Sequence, residues 1–406
     1  MDKENKTCVF GADILVPNTD DYTSFAVVAC DQFTSNGEYW QELANLTQGK
    51  LTTLNMILPE YYLNGDYSDR IVAINENIKN YINQALVLKN SMVLTVRETA
   101  SGIKRTGLVL AIDLEAYNFI KGDKPLIRPT EATIQDRIPP RLKIRKDASA
   151  EFPHVMMFID DENRSVIEDV YKNRASLKKI YDFDLNMDGG HLTGYQVTDV
   201  EKVQEGFNAL LESERLNKKY GEDIPFLMAV GDGNHSLATA KAHWENIKAQ
   251  TGDLSHPARY ALCEVVNIYD DGIIFEPIHR HVKGVNCSEF LAEYTKVGHG
   301  TERVYFGKET SFGGELSVPQ AIAVTDKFIA DYIAKNGGEV DYIHGDDDVK
   351  ALADGDDSSV AILFSSINKA DLFRDVVRGG NLPKKTFSIG EAREKRYYLE
   401  GRKIVK

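Results

Sequence analysis

The chain has 406 residues, of which 42% are hydrophobic and 27% are charged. These values are close to globular averages, which excludes a disordered or collagen-like chain, and the length predicts two or three domains. Lys and Arg number 48 against 62 Asp and Glu, which gives a formal net charge of −14. So acidic a surface repels phosphate backbones, and we expect no nucleic-acid partner.

The cysteines and the N-terminus indicate where the protein works. The four cysteines (Cys8, Cys30, Cys263 and Cys287) form no CxxC pair, so their spacing indicates neither a zinc site nor a disulfide framework. We expect reduced, mostly buried thiols. The charged first six residues lead into no long apolar run, and no window approaches the ~18 apolar residues of a membrane span. We therefore expect a cytoplasmic protein with no signal peptide and no membrane partner.

The N-terminal half alternates between helical and strand-like patterns. Residues 69–86 predict an amphipathic helix because their apolar side chains recur at helical spacing. Residues 91–98 and 107–115 are β-rich runs joined through a polar connection, which predicts a hairpin. Residues 200–219 predict another helix.

The next segment carries the most informative pattern. Residues 226–230 predict a short strand that runs into the turn sequence GDGNHS, and a helix is expected over residues 236–249. Residues 259–269 and 272–277 predict strands joined by a turn at 270–272. The alternation of elements predicts a mixed α+β fold of the α/β type.

After residue 282 the pattern changes to that of a separate α+β unit. Strands are expected at residues 303–306, 321–324 and 359–364. They alternate with helices expected at residues 288–297, 326–335 and 347–353. The acidic runs at 346–348 and 354–357 are typical of solvated loops and helix ends.

The turn between the strand and the helix is a candidate anion site. It consists of Gly231, Asp232, Gly233, Asn234, His235 and Ser236. A helix start leaves backbone N–H groups unpaired and favours negative charge, while glycines let the backbone turn tightly. Asp232 can accept a hydrogen bond from a ribose hydroxyl, orient a magnesium-bound water or act as a base. His235 can donate a hydrogen bond to a phosphate or transfer a proton near neutral pH. A tight βα turn with Ser236 as the N-cap explains the pattern equally well.

A helix start contributes about 0.3–1 kcal/mol to anion binding, whereas micromolar affinity needs about 8 kcal/mol. Cations must therefore come from elsewhere, and residues 121–146 supply eight of them against three acidic residues. Arginine forks match phosphate oxygens, which makes Arg128 and Arg137 candidate clamps. Glu131 among these cations is a candidate general base. The alternative is a surface loop whose cations pair with the acidic remainder.

Other candidates are weaker. His191 follows two glycines and could bring a second histidine to the site, and Asp31 and Gln32 follow a strand-like run. His279 and His281 share one face of an extended segment, which a metal requires. The spacing of the residues indicates no third metal ligand nearby. A third interpretation is therefore a zinc-dependent hydrolase only if a carboxylate distant in the sequence completes a site with these two histidines.

Six short stretches carry a family resemblance. They are residues 25–32 (FAVVACDQ), 128–131 (RPTE), 232–235 (DGNH), 277–280 (PIHR), 342–345 (YIHG) and 382–385 (LPKK). They run over most of the chain in the family's order. On these residues the chain is identified as a member of the bacterial and archaeal family known as domain of unknown function 1015.

The family's Asp-Gly-His-His-Arg motif resembles the signature of the ParB/sulfiredoxin-like fold, which includes nucleotide-binding partition proteins and free serine kinases. The resemblance implies a nucleotide-binding core of this fold at residues 121–285. Additional α+β regions are then expected at residues 1–120 and 286–406. Members of the family tend to sit beside serine-biosynthesis genes, which implies serine or phosphoserine as substrate.

The resemblance also implies roles for single residues. The turn residues 231–236 would hold nucleotide phosphates, and Glu131 resembles the acidic residue that activates a serine hydroxyl. Asn234 stands where a His is usual and Ser236 where an Arg is usual. Without that arginine, the role of the cation would move to Arg128, Arg137 or Arg280.

Together these observations predict a Mg²⁺-dependent phosphotransferase that moves a phosphoryl group between ATP or ADP and serine or phosphoserine. Asp232 and His235 would hold phosphate and Mg²⁺, with the metal bound through the nucleotide rather than by a protein cage. Such chemistry consists mostly of positioning and charge stabilisation. The alternative is a ParB-like nucleotide-binding regulatory protein without turnover.

Overall fold

The computed structural model of the protein describes residues 7–28, 36–63, 65–120, 122–133, 135–221, 224–390 and 392–406. The chain divides into two units. Unit 1 comprises the chain up to Ile273 together with Val376–Gly380 and Glu391–Lys406. Unit 2 comprises Ile274–Asp375 and Asn381–Gly390.

Twenty strands and twelve α-helices are found in the described residues. The strands are β1 (Val9–Phe10), β2 (Ala12–Val16), β3 (Val27–Val28), β4 (Leu86–Glu98), β5 (Lys104–Asp113), β6 (Ile127–Pro129), β7 (Ala150–Glu151), β8 (Met156–Ile159), β9 (Lys178–Leu185), β10 (Gly190–Val197), β11 (Met228–Asp232), β12 (Tyr260–Asn267), β13 (Phe275–Lys283), β14 (Arg303–Phe306), β15 (Lys308–Ser311), β16 (Glu339–His344), β17 (Val360–Leu363), β18 (Phe387–Ile389), β19 (Tyr397–Tyr398) and β20 (Gly401–Lys403). The helices are α1 (Tyr22–Phe25), α2 (Gly37–Thr47), α3 (Ser68–Ile82), α4 (Ile138–Arg145), α5 (Ile167–Lys172), α6 (Val200–Ala209), α7 (Ser213–Tyr220), α8 (Asn234–Thr251), α9 (Cys287–Tyr294), α10 (Val318–Asn336), α11 (Asp346–Asp354) and α12 (Lys369–Gly379).

Unit 1 is built on one long sheet. Its strand order is β6-β11-β8-β12-β5-β4-β2-β20-β7, with β1 on β5 and the β9–β10 hairpin on β4. The pairs β6–β11 and β8–β12 are parallel, whereas β8 and β11 run antiparallel. The mixed α+β class predicted from the sequence is therefore confirmed.

Both faces of this sheet are covered. On β5, Leu108 and Leu110 belong to one apolar cluster and Val109 to another, as the alternation of side chains along a strand requires. The first cluster includes Leu237 of α8 and the second includes Ile78 of α3. Helices thus lie on both sides of the sheet, and α8 is held by its buried apolar face.

Unit 2 contains a smaller sheet with the order β15-β14-β17-β13-β16, and β18 also pairs with β13. Val282 of β13 and Ile362 of β17 pack with Phe290 of α9 and Ile329 of α10. A smaller cluster joins Leu363 of β17 to residues of α11. Strand β13 lies inside this sheet, and its residues 278–282 are buried.

Several local predictions are confirmed and others are wrong at identifiable points. The hairpin of β4 and β5 is confirmed by their antiparallel pairing. The helix predicted over 69–86 ends at Ile82, and Leu86 already begins β4. The helix predicted over 200–219 is two helices, because Glu212 is extended between them. The side chain of Arg215 donates to the carbonyl of Leu210 and so satisfies the interrupted end of α6.

Two corrections concern the second half of the chain. Residues 321–324 were expected to form a strand, but they lie inside α10, which begins after Ser317 with a proline in its first turn. Such a short apolar run does not distinguish a strand from a buried helix segment. The turn predicted at 270–272 is present, with the Ile273 N–H bonded to the Asp270 carbonyl, but the flanking strands do not form a hairpin, since β12 pairs with β5 and β8 and β13 pairs within the sheet of unit 2.

The predicted division at 120/121 and 285/286 stays a prediction. The unit boundary lies at Ile273/Ile274, and residues on both sides of position 120 contribute to one sheet. Cys8 and Cys263 are buried and reduced, and Cys287 is partly exposed and reduced, whereas Cys30 lies outside the described residues. No described helix has the length and apolar character needed to cross a membrane.

Candidate functional site

The turn 231–236 lies at the edge where β6 and β11 end. The two strands run parallel, with Val230 opposite Pro129. In open sheets, ligands bind in the crevice beyond the carboxyl ends of such strands. The Thr130 hydroxyl donates to the carbonyl of Val230 at 2.7 Å, and the side-chain amide nitrogen Nδ2 of Asn234 lies 3.5 Å from Thr130 Oγ1. Glu131 follows Thr130, so the structure brings the predicted base to the same edge as the predicted turn.

The two glycines of the turn are required by different contacts. Gly233 has a φ of +84°, and a Cβ on it would lie 3.1 Å from Val155 Cα. A Cβ on Gly231 would lie 2.6 Å from the ring of Phe158. Gly233 therefore sets the left-handed turn into α8, whereas Gly231 is explained by packing against β8.

Within the part of the chain that the structure describes, no side chain caps the start of α8. Gly233 is the N-cap, and no side-chain hydrogen bond caps the helix there. The first intrahelical bond of this end runs from the Leu237 N–H to the Gly233 carbonyl. The prediction of Ser236 as N-cap is therefore wrong, since Ser236 is the third residue of the helix. Residues 231–236 are all half-buried, so the positive end of the helix dipole faces an accessible edge.

Asp232 is the charged centre of this edge. Its Oδ1 accepts the Gly233 N–H at 2.8 Å, and its Oδ2 lies 3.6 Å from the Lys395 ammonium. Burial alone would raise the pKa of Asp232. The charges of Lys395 and His154 and the bond from Gly233 outweigh burial and hold that pKa below its ordinary value. Asp232 is therefore a carboxylate at neutral pH.

Sequence reasoning missed two residues whose charges act on Asp232 and a third that is bonded to one of them. Besides Lys395, they are His154, which precedes β8, and Tyr398 of β19. The Tyr398 hydroxyl lies 2.8 Å from His154 Nδ1, and their rings are 5.2 Å apart. These residues are far from the turn in the sequence and carry no local motif. Tertiary structure brings them together, since β19 pairs with β3 outside the long sheet that holds β8 and β11.

The arginines predicted as phosphate clamps have different environments. Arg128 is buried, and its guanidinium donates to the carbonyls of Pro125, Pro225 and Val377. Burial lowers its pKa. Arg137 is exposed immediately before α4, a helix that packs against α8. Of the two, Arg137 has the accessible guanidinium, while Arg128 holds backbone segments together.

His191 lies on β10 and is bound to its own hairpin. Its Nδ1 is 2.6 Å from Asp184 and its Nε2 is 2.7 Å from Asp182. The hydrogen bond to Asp184 raises the pKa of His191, and Asp182 adds to the effect. The structure thus gives His191 partners on β9 rather than in the turn 231–236. Asp31 and Gln32 lie outside the described residues.

The remaining candidates lie in unit 2. His279 and His281 are buried on β13, with His279 Nε2 2.9 Å from Asp346 and His279 Nδ1 accepting the Phe364 N–H at 3.2 Å. Arg280 is fully buried and pairs with Asp326 at 2.8 Å. Within the described ranges, no three His, Cys, Asp or Glu residues are grouped as a metal site requires. The zinc interpretation therefore has no support from this strand.

Comparison with known proteins gives a family match. The model of a family described as "Protein of unknown function (DUF1015)" matches residues 14–342, so the predicted membership is confirmed. No curated protein matches the chain.

Solved structures share only weak overall similarity. A free serine kinase in complex with AMP is 12% identical with a TM-score of 0.38, and the match covers 72% of this chain and 90% of that one. A conserved hypothetical protein from Pyrococcus furiosus is 11% identical with a TM-score of 0.34, over 69% and 89% of the two chains. SbnI with a C-terminal truncation, from Staphylococcus aureus, is 12% identical with a TM-score of 0.35, over 68% and 85%.

Proposed function

We propose that the protein is a phosphotransferase that moves a phosphoryl group between a nucleotide and serine or phosphoserine. The description of its family, DUF1015, names no function, so this activity is inferred from the site. One observation carries the proposal. The uncapped start of α8 lies beside an ionised, half-exposed carboxylate and an ammonium group, at the ends of two parallel strands.

The start of α8 suits a phosphate. The first four N–H groups of an α-helix have no acceptor within the helix, and the helix dipole adds partial positive charge there. In α8 the first of them, the Gly233 N–H, is bonded to Asp232. Helix α8 has 18 residues, so its dipole is fully developed. A phosphate at this edge gains backbone hydrogen bonds and the charge of the helix end together. His235, the second residue of the helix, adds a side-chain donor at the same edge.

Asp232 fits a magnesium ion bound through the nucleotide. A carboxylate beside a phosphate would be repulsive without a cation between them, and Asp232 is ionised and half-exposed. Mg²⁺ typically binds one or two carboxylates together with phosphate oxygens. Asp232 would hold such an ion, which would supply charge neutralisation during the transfer. The proposed metal is therefore Mg²⁺ with ATP or ADP.

Glu131 is the proposed base. It is half-buried at the same edge, directly after Thr130, which is bonded to the end of β11. In the forward direction, the serine hydroxyl oxygen forms a bond to the terminal phosphorus while the bond to the nucleotide oxygen breaks. The hydroxyl proton passes to the Glu131 carboxylate, and the shortened nucleotide leaves with the negative charge. The reverse direction returns the phosphoryl group from phosphoserine.

The nucleotide and the serine are proposed on different grounds. The nucleotide follows from the resemblance of residues 232–236 to the phosphate-binding signature of ParB/sulfiredoxin-like proteins. Serine follows from the family's association with serine-biosynthesis genes. Several similar structures are described as a free serine kinase in complex with AMP or ADP, which is a statement about those proteins.

The proposal is tested first by binding and then by turnover. We expect ATP or ADP with Mg²⁺ to raise the melting temperature, since a ligand at 100 times its Kd stabilises by about 2.7 kcal/mol. Radiolabelled nucleotide with serine should then give phosphoserine. His235→Ala should reduce turnover by about 10²-fold or more, and Glu131→Gln should reduce it by a similar factor with unchanged nucleotide Kd.

The matched control is His191→Ala, because His191 is a partly exposed histidine of unit 1 whose partners lie in its own β9–β10 hairpin and not in the turn 231–236. Its turnover should equal that of the unchanged protein. Absence of any nucleotide binding would overturn the proposal. Binding without product, after long incubation with serine or phosphoserine, would favour the nucleotide-binding regulatory protein without turnover.

A further inference from the structure

The turn 231–236 has no cationic side chain of its own at neutral pH apart from what His235 contributes. A helix start supplies about 2 kcal/mol at most, which is far below the binding energy of a nucleotide. Arg128 is committed to three backbone carbonyls. Within the described part of the chain, the ion pair made by this turn joins Asp232 to Lys395.

Among the described residues, the ion pair of Lys395 is the long one to Asp232, which leaves donors of its ammonium for an anion. Lys395 is only 8% exposed, and an ammonium is costly to bury unless it is paired. An ammonium carries three donors, yet its distance to Asp232 is 3.6 Å, longer than the ~2.7–2.9 Å of a charge-assisted hydrogen bond. The Asp232 side chain is 30% exposed. A ligand that reaches Asp232 from solvent therefore reaches the ammonium of Lys395 as well.

The backbone around Lys395 is held by buried arginines. Arg97 donates to the Lys395 carbonyl at 2.9 Å and to the Arg393 carbonyl at 2.6 Å. Arg105 donates to the Glu394 carbonyl at 3.0 Å. These bonds come from the long hairpin of β4 and β5. They fix the position of Lys395 relative to the central sheet before any ligand binds.

The residue after Lys395 is anchored equally firmly. Arg396 is fully buried and pairs with Glu264 at 3.2 Å and with Glu400 at 2.6 Å. Glu264 also accepts from Thr95 of β4. A lysine between such fixed neighbours loses little freedom on binding, because the ordering of its backbone has already taken place in folding.

We propose that Lys395 binds the phosphate chain of the nucleotide, so that the C-terminal segment 392–400 completes the site. The proposal rests on the proposed function and assigns the residue that binds the phosphates of its nucleoside diphosphate or triphosphate. The ammonium interacts with the terminal phosphates, whose charge is greatest, and AMP gains less from it than ADP. Residue 395 lies beyond residues 14–342 matched by the family model and outside the six stretches that carry the resemblance.

The main test compares Lys395→Met with Lys395→Arg in the full chain. Loss of one charge-assisted hydrogen bond predicts ADP and ATP binding about 10- to 100-fold weaker in Lys395→Met, with a smaller loss for AMP. Lys395→Arg should restore most of the affinity. The measurement is isothermal titration calorimetry with Mg²⁺, with melting curves to confirm folding.

Lys248→Met is the control. Lys248 lies on the same helix as the turn, pairs with Glu115 at 2.8 Å, and is about 20 Å from the start of α8 by the helix rise. Its ADP affinity should equal that of the unchanged protein. If Lys395→Met binds ADP as tightly as the unchanged protein, the inference is wrong while the proposed function stands. If the unchanged protein binds no nucleotide, both are wrong.

Asp232→Asn keeps the inference testable if Lys395→Met fails to fold. An asparagine still accepts the Gly233 N–H but no longer competes for the ammonium. Without Mg²⁺, ADP should then bind to Asp232→Asn about 10-fold more tightly than to the unchanged protein, and addition of Mg²⁺ should no longer increase the ADP affinity. Unchanged or weaker ADP binding without Mg²⁺ would contradict a direct contact between Lys395 and phosphate.

Discussion

The turn 231–236 of unit 1 and strand β13 of unit 2 contain similar chemical groups in opposite environments. Each carries histidine within three positions of a charged residue, and each was a candidate site from the sequence. The six residues of the turn are all half-buried, whereas His279, Arg280 and His281 are buried. Burial and existing partners, rather than residue type, therefore distinguish a group available to a ligand from a group that stabilises the fold.

The two cations show the difference most clearly. Arg280 directs its guanidinium to both oxygens of Asp326, at 2.8 and 3.0 Å, and to the carbonyls of Ile278, Lys384 and Lys385. A guanidinium has five donors, so these contacts use it fully. Lys395 has an ion pair at 3.6 Å to a partly exposed carboxylate. The arrangement around Arg280 is typical of a residue that stabilises the fold, whereas the arrangement around Lys395 leaves donors for a ligand.

The largest expected effect comes from Arg280→Met. Removing one partner of a buried pair leaves Asp326 and three carbonyls without their donor, which typically costs about 3–5 kcal/mol. The free energy of unfolding, measured by urea denaturation, should fall by about that amount. In protein that remains folded, the Kd for ADP should not change. A selective loss of ADP affinity without loss of stability would make Arg280 a ligand-binding residue and remove the contrast between the two regions.

A smaller effect is expected from Gly233→Ala. A left-handed residue with a Cβ costs about 1–2 kcal/mol, and the added Cβ would press on Val155 at 3.1 Å. We expect the free energy of unfolding to fall by about that amount and nucleotide binding to weaken, since α8 begins at this point. Both quantities are accessible from denaturation curves and calorimetry.

The matched substitution in unit 2 is Gly355→Ala. Gly355 follows α11 with a φ of −80°, and a Cβ there would make ordinary contacts at 3.5 Å. It should leave stability unchanged or raise it by about 0.4–1 kcal/mol, because alanine restricts the unfolded chain. Equal losses in both variants would mean that the turn into α8 has no special requirement for glycine.

The smallest effect concerns the pH dependence contributed by His279. Burial lowers its pKa below 6.5, and the nearby Asp346 carboxylate offsets part of that shift. In acid the unfolded chain takes up the proton first. The stability contributed by neutral His279 is therefore present above about pH 6.5 and is lost as the pH falls towards its lowered value.

Denaturation midpoints at pH 7.5 and 5.5 measure this effect. His279→Gln should show a smaller decrease between the two pH values than the unchanged protein. The matched control is His191→Gln, because the pKa of His191 is raised by its carboxylates and its contribution has the opposite sign. An unchanged pH dependence in His279→Gln would mean that His279 is not held neutral by burial.

Local patterns predicted the elements that depend on neighbouring residues. The apolar spacing of α3, the β4–β5 hairpin and the passage from β11 through glycine into α8 all follow from side chains a few positions apart. The mixed α+β class follows from their alternation. Where the local signal was ambiguous, as in residues 321–324 of α10, the prediction was wrong because a short apolar run suits either element.

The sequence by itself determined the position of the glycine-rich turn, the start of a helix there and the proximity of His235 and Asp232. The tertiary structure decided which cation reaches that turn. The guanidinium of Arg128 donates its hydrogen bonds to carbonyls that folding places around it. Lys395 lies near the C-terminal end of the sequence, in a segment whose position is fixed by Arg97 and Arg396. Burial and the pairing of distant charges depend on the order of strands in the sheet, and no local pattern of residues encodes that order.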